Sequence, residues 1–291
     1  MDEALKPTND YVFKRIFGKK GNEDITKDFI NSVLKKNVEI VSLEENPILE
    51  KDFRSDKLGI LDVKAKLDNK TLCDIEMQVV KYAGMTKRAI FYWSKLFLEG
   101  IKEGQGYTRL EKAIVILITE YGLDELKDIP KAHTKWEIRE EEFTTKILTD
   151  VFEIHIIELA KLKKQIAKNG IDKKDKLLQW ATFMLYPEKI GDEIIMENVE
   201  MKKALEEWRK IDQSKEEREI AWRRLVSIMD ENSIKESGYQ EGEKAGEEKG
   251  IEKGKVETQK NVAKKLLKMN IPIEQIVEVT DLTEEEINKL K

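Results

Sequence analysis

The hydrophobic pattern at the start of the chain predicts two helices. In the segment DYVFKRIF the apolar residues recur at helical spacing, and Thr8 or Asn9 can cap the beginning of this helix. The segment DITKDFINSVLKK follows, and its apolar residues also fall on one side of a helix. These residues are Ile25, Phe29, Ile30, Val33 and Leu34.

Strand patterns dominate between residues 38 and 119. The segment VEIVSLEEN alternates with period two up to Pro47, and two further strand-like runs flank a polar turn at residues 68–70. The run KAIVILIT, residues 112–119, is β-branched throughout and typical of a central strand covered on both faces. Before it, MTKRAIFYWSKLFLEGI carries apolar residues around most of a helix, which predicts burial on more than one side. This order of elements predicts an α/β core.

The rest of the chain is predicted to be mostly helical. KWEIREEEF and DVFEIHIIEL are read as two more strands, and DKLLQWATFML begins a helical region that extends to about Ser237. Tryptophans in this region are expected to anchor its packing. They are Trp180, Trp208 and Trp222.

Glycine recurs at every fourth position from Gly238 to Gly254, where the composition changes. The pattern fits a flexible charged linker, because each interior glycine costs a helix about 1 kcal/mol relative to alanine. It fits equally a helix with a smooth stripe along which another helix can approach closely. The last 35 residues predict three short helices with a capping box from Thr283 to Glu286, in an arrangement like a helix-turn-helix. The predicted divisions are 1–160, 161–237, 238–256 and 257–291.

Composition and charge narrow the possible functions. The chain has 291 residues, 40% of them hydrophobic, and 53 basic residues stand against 58 acidic ones for a net charge of −5. A broad non-specific nucleic-acid binder is usually basic overall, so any contact with phosphate is expected to be local. One cysteine, Cys73, excludes an internal disulfide and a cysteine-based zinc site. A polar beginning and the lack of a long apolar run predict a cytoplasmic protein without a membrane span.

Acidic residues are concentrated in the predicted hairpin LDVKAKLDNKTLCDIEMQV, residues 61–79. If residues 68–70 form the turn, Asp62 lies opposite Glu76 and Lys64 lies opposite Asp74. Because strand side chains alternate, Asp62, Lys64 and Lys66 share one face with Asp74, Glu76 and Gln78. That face is polar throughout.

Two interpretations of this polar face remain open from the spacing alone. Opposed carboxylates at Asp62 and Glu76 repel each other, and a divalent cation between them removes that penalty. Such a metal can polarise a phosphate oxygen and activate water for phosphodiester hydrolysis, with Gln78 orienting the water or the phosphate. Alternatively the face is simply solvated, with Lys64 and Lys66 neutralising the acids.

These segments resemble the PD-(D/E)XK nuclease superfamily. The hairpin carries ILDV and DIEMQV, the following helix contains KRAIFYWSKL, and the chain opens with TNDYVFKRIFG. Over residues 5–160 the chain is most similar to the branch called PD-(D/E)XK nuclease family transposases, or recombination-promoting nucleases, and its glycine-periodic tail looks similar too. The resemblance implies a restriction-endonuclease-like core, a mixed β-sheet flanked by helices, with a helical C-terminal extension.

The resemblance also implies a chemistry. In that family the fold implies Mg²⁺-dependent cleavage of DNA, with Mn²⁺ as a possible substitute. Asp62 is similar to the motif aspartate and Glu76 to the acidic residue of the E-x-K element, so both are expected to hold the metal. Gln78 stands where the superfamily has lysine. A glutamine brings a dipole instead of a positive charge, so smaller transition-state stabilisation is expected unless Lys64, on the same face, supplies the charge.

Basic residues after the hairpin are candidates for contact with DNA phosphates. They are Lys81, Lys87 and Arg88, with Lys64 on the hairpin and Lys14 as a weaker case, and each is also compatible with an ordinary solvated surface. His133 and His155 have no partner nearby in sequence and are expected to be structural.

Two functions are therefore carried forward. The first is a Mg²⁺-dependent DNA endonuclease linked to recombination or transposition, with Asp62, Glu76 and Gln78 as its catalytic residues. The alternative is a weakly active or inactive module that keeps the nuclease fold and uses its tail for DNA binding or homo-oligomerisation.

Overall fold

The computed structural model describes residues 4–44, 62–68, 70–101 and 103–290. The chain separates into two compact units, residues 1–227 and residues 228–291. Residues 45–47 at the end of the first predicted strand and Asn69 in the predicted turn lie outside the described residues.

A mixed β-sheet forms the centre of the first unit. In the described part of the chain its strands are β1 Ile40–Glu44, β2 Val63–Leu67, β3 Leu72–Gln78, β4 Ala113–Thr119, β5 His133–Trp136 and β6 Phe152–Glu158. They lie in the order β1-β2-β3-β4-β6-β5. The pairs β3–β4 and β4–β6 are parallel, and the other pairs are antiparallel. All seven residues of β4 are buried, which confirms the predicted central strand.

The hairpin register agrees with the prediction from turn position. Val63 pairs with Ile75 and Lys64 pairs with Asp74. One predicted strand was misplaced, because β5 ends at Trp136 and does not continue through the segment 137–143. Beyond Trp136 the glutamates at 140–142 are exposed and a turn closed by an isolated bridge replaces the strand, since no neighbouring strand covers those charges.

Helices cover both faces of the sheet. The described helices are α1 Asp10–Phe17, α2 Glu23–Leu34, α3 Met85–Glu99, α4 Leu159–Asn169, α5 Lys176–Leu185, α6 Asp192–Glu197, α7 Val199–Gln213, α8 Lys215–Lys268, α9 Ile273–Thr280 and α10 Glu284–Asn288, with short 3-10 turns at Tyr107–Arg109, Asp124–Leu126 and Pro187–Lys189. The side chain of Asn9 accepts hydrogen bonds from the amides of Tyr11 and Val12, so Asn9 is the cap that begins α1.

The sheet separates two apolar cores. Helices α1, α2, α5 and α7 share one core with the apolar face of the hairpin, and α3 packs on the opposite face. Helix α3 was expected to be buried on more than one side, and this expectation was wrong. Its buried residues form a single stripe of Met85, Ala89, Tyr92 and Leu96. Ile90, Phe91 and Leu98 are exposed, because this helix forms the outer layer over the sheet.

The helices after residue 160 belong to the same core as the sheet. Trp180 of α5 is fully buried and its ring contacts the rings of Phe17 and Phe29 at centroid distances of 5.5 Å and 6.1 Å. The buried carboxylate of Asp28 on α2 accepts hydrogen bonds from Trp180 Nε1 at 3.0 Å and from Asn198 Nδ2 at 3.1 Å. The expected helical extension is therefore joined to the α/β core by polar as well as apolar contacts.

The second unit is small and helical. The end of α8 packs with α9 and α10 around a cluster of Ala263, Ile276, Leu282 and Ile287. Thr283 and Glu286 form the predicted capping box at the start of α10. The glycine-periodic stretch is helical, as one of the two interpretations predicted, and it runs without a break into the segment that was expected to be a separate helix. In the described ranges, no helix combines the length and apolarity that a membrane crossing needs.

Candidate active site

Asp62 and Glu76 meet across the open end of the β2–β3 hairpin. The amide of Asp62 donates to Glu76 Oε1 at 3.1 Å, and the amide of Met77 donates to Asp62 Oδ2 at 3.1 Å. Both side chains are almost entirely buried, at 7% and 1% relative exposure. These two bonds hold the carboxylate of Glu76 on β3 beside that of Asp62, which directly precedes β2.

Helix α1 contributes a basic side chain to the same place. Lys14 Nζ lies 2.8 Å from Asp62 Oδ1 and 2.7 Å from Asp10 Oδ1, and the lysine is 6% exposed. Arg224, near the start of α8, forms an ion pair with the other oxygen of Asp10. Burial by itself lowers the pKa of Lys14, but the charges of Asp62 and Asp10 outweigh this effect and raise it. Lys14 is therefore a fixed cation at the carboxylate pair.

A third carboxylate, Asp74, is completely buried beside this pair. Among the described residues neither of its oxygens accepts a hydrogen bond from an amide or a cation, and its carboxyl lies within hydrogen-bonding reach of the carboxyl of Glu76. Burial, followed by the charge of Asp62, raises the pKa of Asp74 well above its usual range. Burial and the charges of Asp62 and Asp74 do the same to the pKa of Glu76. In the absence of a bound cation, burial therefore favours the neutral, protonated forms of Asp74 and Glu76.

Gln78 and two residues of α3 border the carboxylates. Gln78 Nε2 donates to Glu76 Oε2 at 3.3 Å, so the amide lies beside the carboxylates. Arg88 Nε donates to the hydroxyl of Tyr92. Burial, followed by the charge of Glu76, raises the pKa of Tyr92, so its hydroxyl remains protonated. Tyr92 was assigned only to the core from the sequence, and the structure adds a polar end that faces the site.

The other four basic residues predicted to contact DNA phosphates have different neighbours in the structure. Lys64 Nζ is bound by Glu44 and Glu99, both at 2.6 Å, and Lys81 Nζ lies 2.8 Å from the exposed Asp124. Arg88 lies over the rings of Tyr82 and Tyr92. Lys87 is exposed on α3. Lys64 thus neutralises acids on β1 and α3 and makes no ion pair with Asp74, contrary to the solvated-face interpretation.

The two histidines lie together, away from the hairpin carboxylates. His133 Nε2 is 2.8 Å from His155 Nδ1, and His155 Nε2 is 2.8 Å from Glu153 Oε1. Lys112 also binds Glu153, at 2.6 Å. This contact could not be predicted from the sequence, because the two histidines come together only through the pairing of β5 with β6.

The donor set can be compared with the needs of a divalent metal. Among the residues that the structure describes, no group of three His, Cys, Asp or Glu side chains is arranged to hold an ion. Mg²⁺ does not require three, since it commonly takes one or two carboxylates together with waters and substrate phosphates. The raised pKa values of Asp74 and Glu76 show that the protein supplies too little positive charge to stabilise the ionised forms of these buried carboxyls, and a bound cation would supply it. The residues present therefore fit a hard divalent cation.

The fold and the site together define a class. A mixed sheet flanked by helices, with an acidic residue at the start of one hairpin strand and an acid-x-polar sequence on the next, is the arrangement of PD-(D/E)XK nucleases. The family model for PD-(D/E)XK nuclease family transposase matches residues 7–238, and the chain belongs to that family. The predicted fold class is thereby confirmed, and nucleases of this kind typically use divalent metals. Comparisons with curated proteins and with solved structures gave no match.

Two residues of the site had no assigned role from the sequence. Asp10 lies four positions before Lys14, and this spacing places both side chains on one side of α1. Their ion pair could therefore have been predicted from the sequence. Arg224 lies more than 200 residues from Asp10 in the chain, and only the packing of α8 against α1 brings them together.

Proposed function

We propose that the protein is a divalent-metal-dependent DNA endonuclease that hydrolyses phosphodiester bonds, with Mg²⁺ as its metal and a role in recombination or transposition. The main support is the buried pairing of Asp62 with Glu76, each bonded to the backbone of the facing strand. Membership of a nuclease family supports DNA as the substrate. The charges available for contact with DNA are local, in keeping with the net charge of −5.

In this proposal Asp62 and Glu76 hold the metal, and Asp74 adds negative charge behind them. A bound Mg²⁺ supplies Lewis-acid polarisation of the phosphate and lowers the pKa of bound water. Gln78, anchored to Glu76 Oε2, positions water or a non-bridging phosphate oxygen with its amide. The strands keep these groups in place because both carboxylates are fixed to backbone amides, so little reorganisation is needed during reaction.

DNA would approach from the side of α3. Lys87 and Arg88 lie in the first turns of this helix, and Lys81 precedes it. Lys81 and Arg88 have acidic or aromatic neighbours in the protein, so they would exchange or share those contacts on binding. Phosphate contacts of this kind carry no sequence information, and they make affinity fall with salt.

The test is nicking of supercoiled plasmid DNA by purified protein, with Mg²⁺ and with EDTA. Asp62→Asn and Glu76→Gln are expected to reduce the rate at least about 10²-fold, the usual loss when one preorganised stabilising group is removed. Titration calorimetry with Mn²⁺ measures metal binding without DNA and is expected to weaken in both variants. The matched control is Asp150→Asn, which neutralises an exposed acid outside the site.

Cleavage that persists in both hairpin variants would refute the proposal. Absence of both metal binding and cleavage in the unmodified protein would instead favour the second candidate, a module that keeps the fold without the reaction. Participation of the tail in self-association stays a prediction.

A further inference from the structure

The position that carries lysine in the superfamily pattern is occupied here by Gln78, which is neutral. Lys64 and Lys66, the neighbouring basic residues on the hairpin, do not bring a replacement positive charge to the carboxylates of Asp62 and Glu76. Lys64 is held by Glu44 and Glu99, and Lys66 lies 3.8 Å from Glu111. The positive charge that reaches the site comes from another element, helix α1.

Lys14 has the geometry of a built-in cation. Its ammonium is buried and bridges Asp62 and Asp10 at 2.8 Å and 2.7 Å. Asp10 also forms an ion pair with Arg224, and this second contact keeps the Asp10 carboxylate in place beside Lys14. Helix α1 is in turn held by the cap at Asn9 and by packing of Val12, Phe13, Ile16 and Phe17 in the core.

A buried lysine of this kind is costly unless it is paired, because its charge has left water. Asp10 and Asp62 compensate it fully in this structure. Since Asp62 is also a proposed metal ligand, the same carboxylate oxygen would serve either the ammonium or a metal ion. Because the ammonium also pairs with Asp10, it would remain held beside the carboxylates if Asp62 bound a metal ion.

We propose that Lys14 supplies the positive charge that the hairpin lacks at Gln78: it neutralises Asp62 in the metal-free protein and contacts the scissile phosphate in the reaction. This inference rests on the proposed nuclease function. It assigns Lys14 as a catalytic residue and Asp10 and Arg224 as the residues that position it.

Four proteins test the assignment: the unmodified chain, Lys14→Gln, Gln78→Lys and the double variant Lys14→Gln/Gln78→Lys. Loss of the ammonium is expected to reduce plasmid cleavage by about 10²-fold. A lysine at position 78 is expected to recover at least about tenfold of that loss in the double variant, because it returns a positive charge to the same face. Lys19→Gln is the matched control, since Lys19 pairs with Glu207 outside the site.

A second measurement does not depend on cleavage. With its competitor removed, Asp62 is expected to bind Mn²⁺ more tightly in Lys14→Gln than in the unmodified protein, by calorimetry without DNA. A purely structural lysine would instead give weaker Mn²⁺ binding and no rescue of cleavage by Gln78→Lys.

The outcomes separate the two proposals. If the unmodified protein neither binds metal nor cleaves, the nuclease proposal fails and this inference fails with it. If the unmodified protein cleaves and Lys14→Gln cleaves at the same rate, only the role of Lys14 is overturned. If Lys14→Gln is too unstable to purify, the double variant decides, because a folded double variant without cleavage overturns the assignment and one with cleavage supports it.

Discussion

Replacement of Asp28 by alanine is expected to destabilise the whole first unit. This carboxylate is 7% exposed and accepts three hydrogen bonds from the helices after residue 160. Two donors, Trp180 Nε1 and Asn198 Nδ2, are buried and would be left without a partner at about 1–3 kcal/mol each. The third, Lys176, has a side chain that is 56% exposed and adds less than about 1 kcal/mol. The free energy of unfolding should therefore fall by about 2–7 kcal/mol, a large part of the 5–15 kcal/mol typical of a domain.

Urea unfolding followed by tryptophan fluorescence measures this loss, because Trp180 is one of the affected groups. The chain offers a close control in Asp24→Ala, one turn away on the same helix. Asp24 binds Lys203 at 2.6 Å but its side chain is 45% exposed, so the expected loss is under about 1 kcal/mol. A double-mutant cycle with Trp180→Phe should show coupling of at least about 0.5 kcal/mol. Equal stability losses for Asp28→Ala and Asp24→Ala would refute the reasoning.

Two pH effects also follow from the buried groups. When EDTA keeps the protein free of metal, burial and then the charge of Asp62 raise the pKa of Asp74 in the folded state. The contribution of Asp74 to stability is therefore full below its unfolded pKa of about 4, and it is lost as the pH rises through the folded pKa. In Asp74→Asn the urea midpoint of unfolding should decrease less steeply as the pH rises than in the unmodified protein. The same pH dependence in both proteins would contradict this prediction. Burial, and then the charge of His155, lowers the pKa of His133 to about 4, so stability should be lost as pH falls from about 6.5 toward 4. His133→Gln should remove that acid-side loss in thermal melts, and a loss of the same size would contradict the assignment.

The local pattern of the sequence was sufficient for the hairpin. A polar turn between two alternating runs fixes the register, because a shift of one residue would exchange the apolar and acidic faces. The structure has that register, with Lys64 opposite Asp74. The same is true of the Thr283 capping box, whose two residues lie three positions apart, whereas the sequence left Thr8 and Asn9 both open as the cap of α1 and the structure shows Asn9.

The sequence was less informative about which face of a helix is buried against the sheet and about where an edge strand ends. Helix α3 has apolar residues around most of its surface, and the pattern alone cannot tell which side meets the sheet. Only the packing of Tyr92 and Leu96 on one face shows that the helix is an outer layer. The end of β5 was missed for a related reason, since the extent of an edge strand is set by its pairing, and only His133–Trp136 pair with β6.

The sequence by itself determined that Asp62 and Glu76 face each other, because their pairing follows from the strand period and the turn. Only the tertiary structure decided what neutralises them. Lys14, which pairs with Asp62, comes from helix α1. Arg224, which pairs with Asp10, comes from helix α8 and lies more than 200 residues from Asp10 in the chain. Charges act through space over a few ångströms, whereas sequence patterns report neighbours along the chain, so compensation of a buried carboxylate becomes visible only when distant elements are packed together.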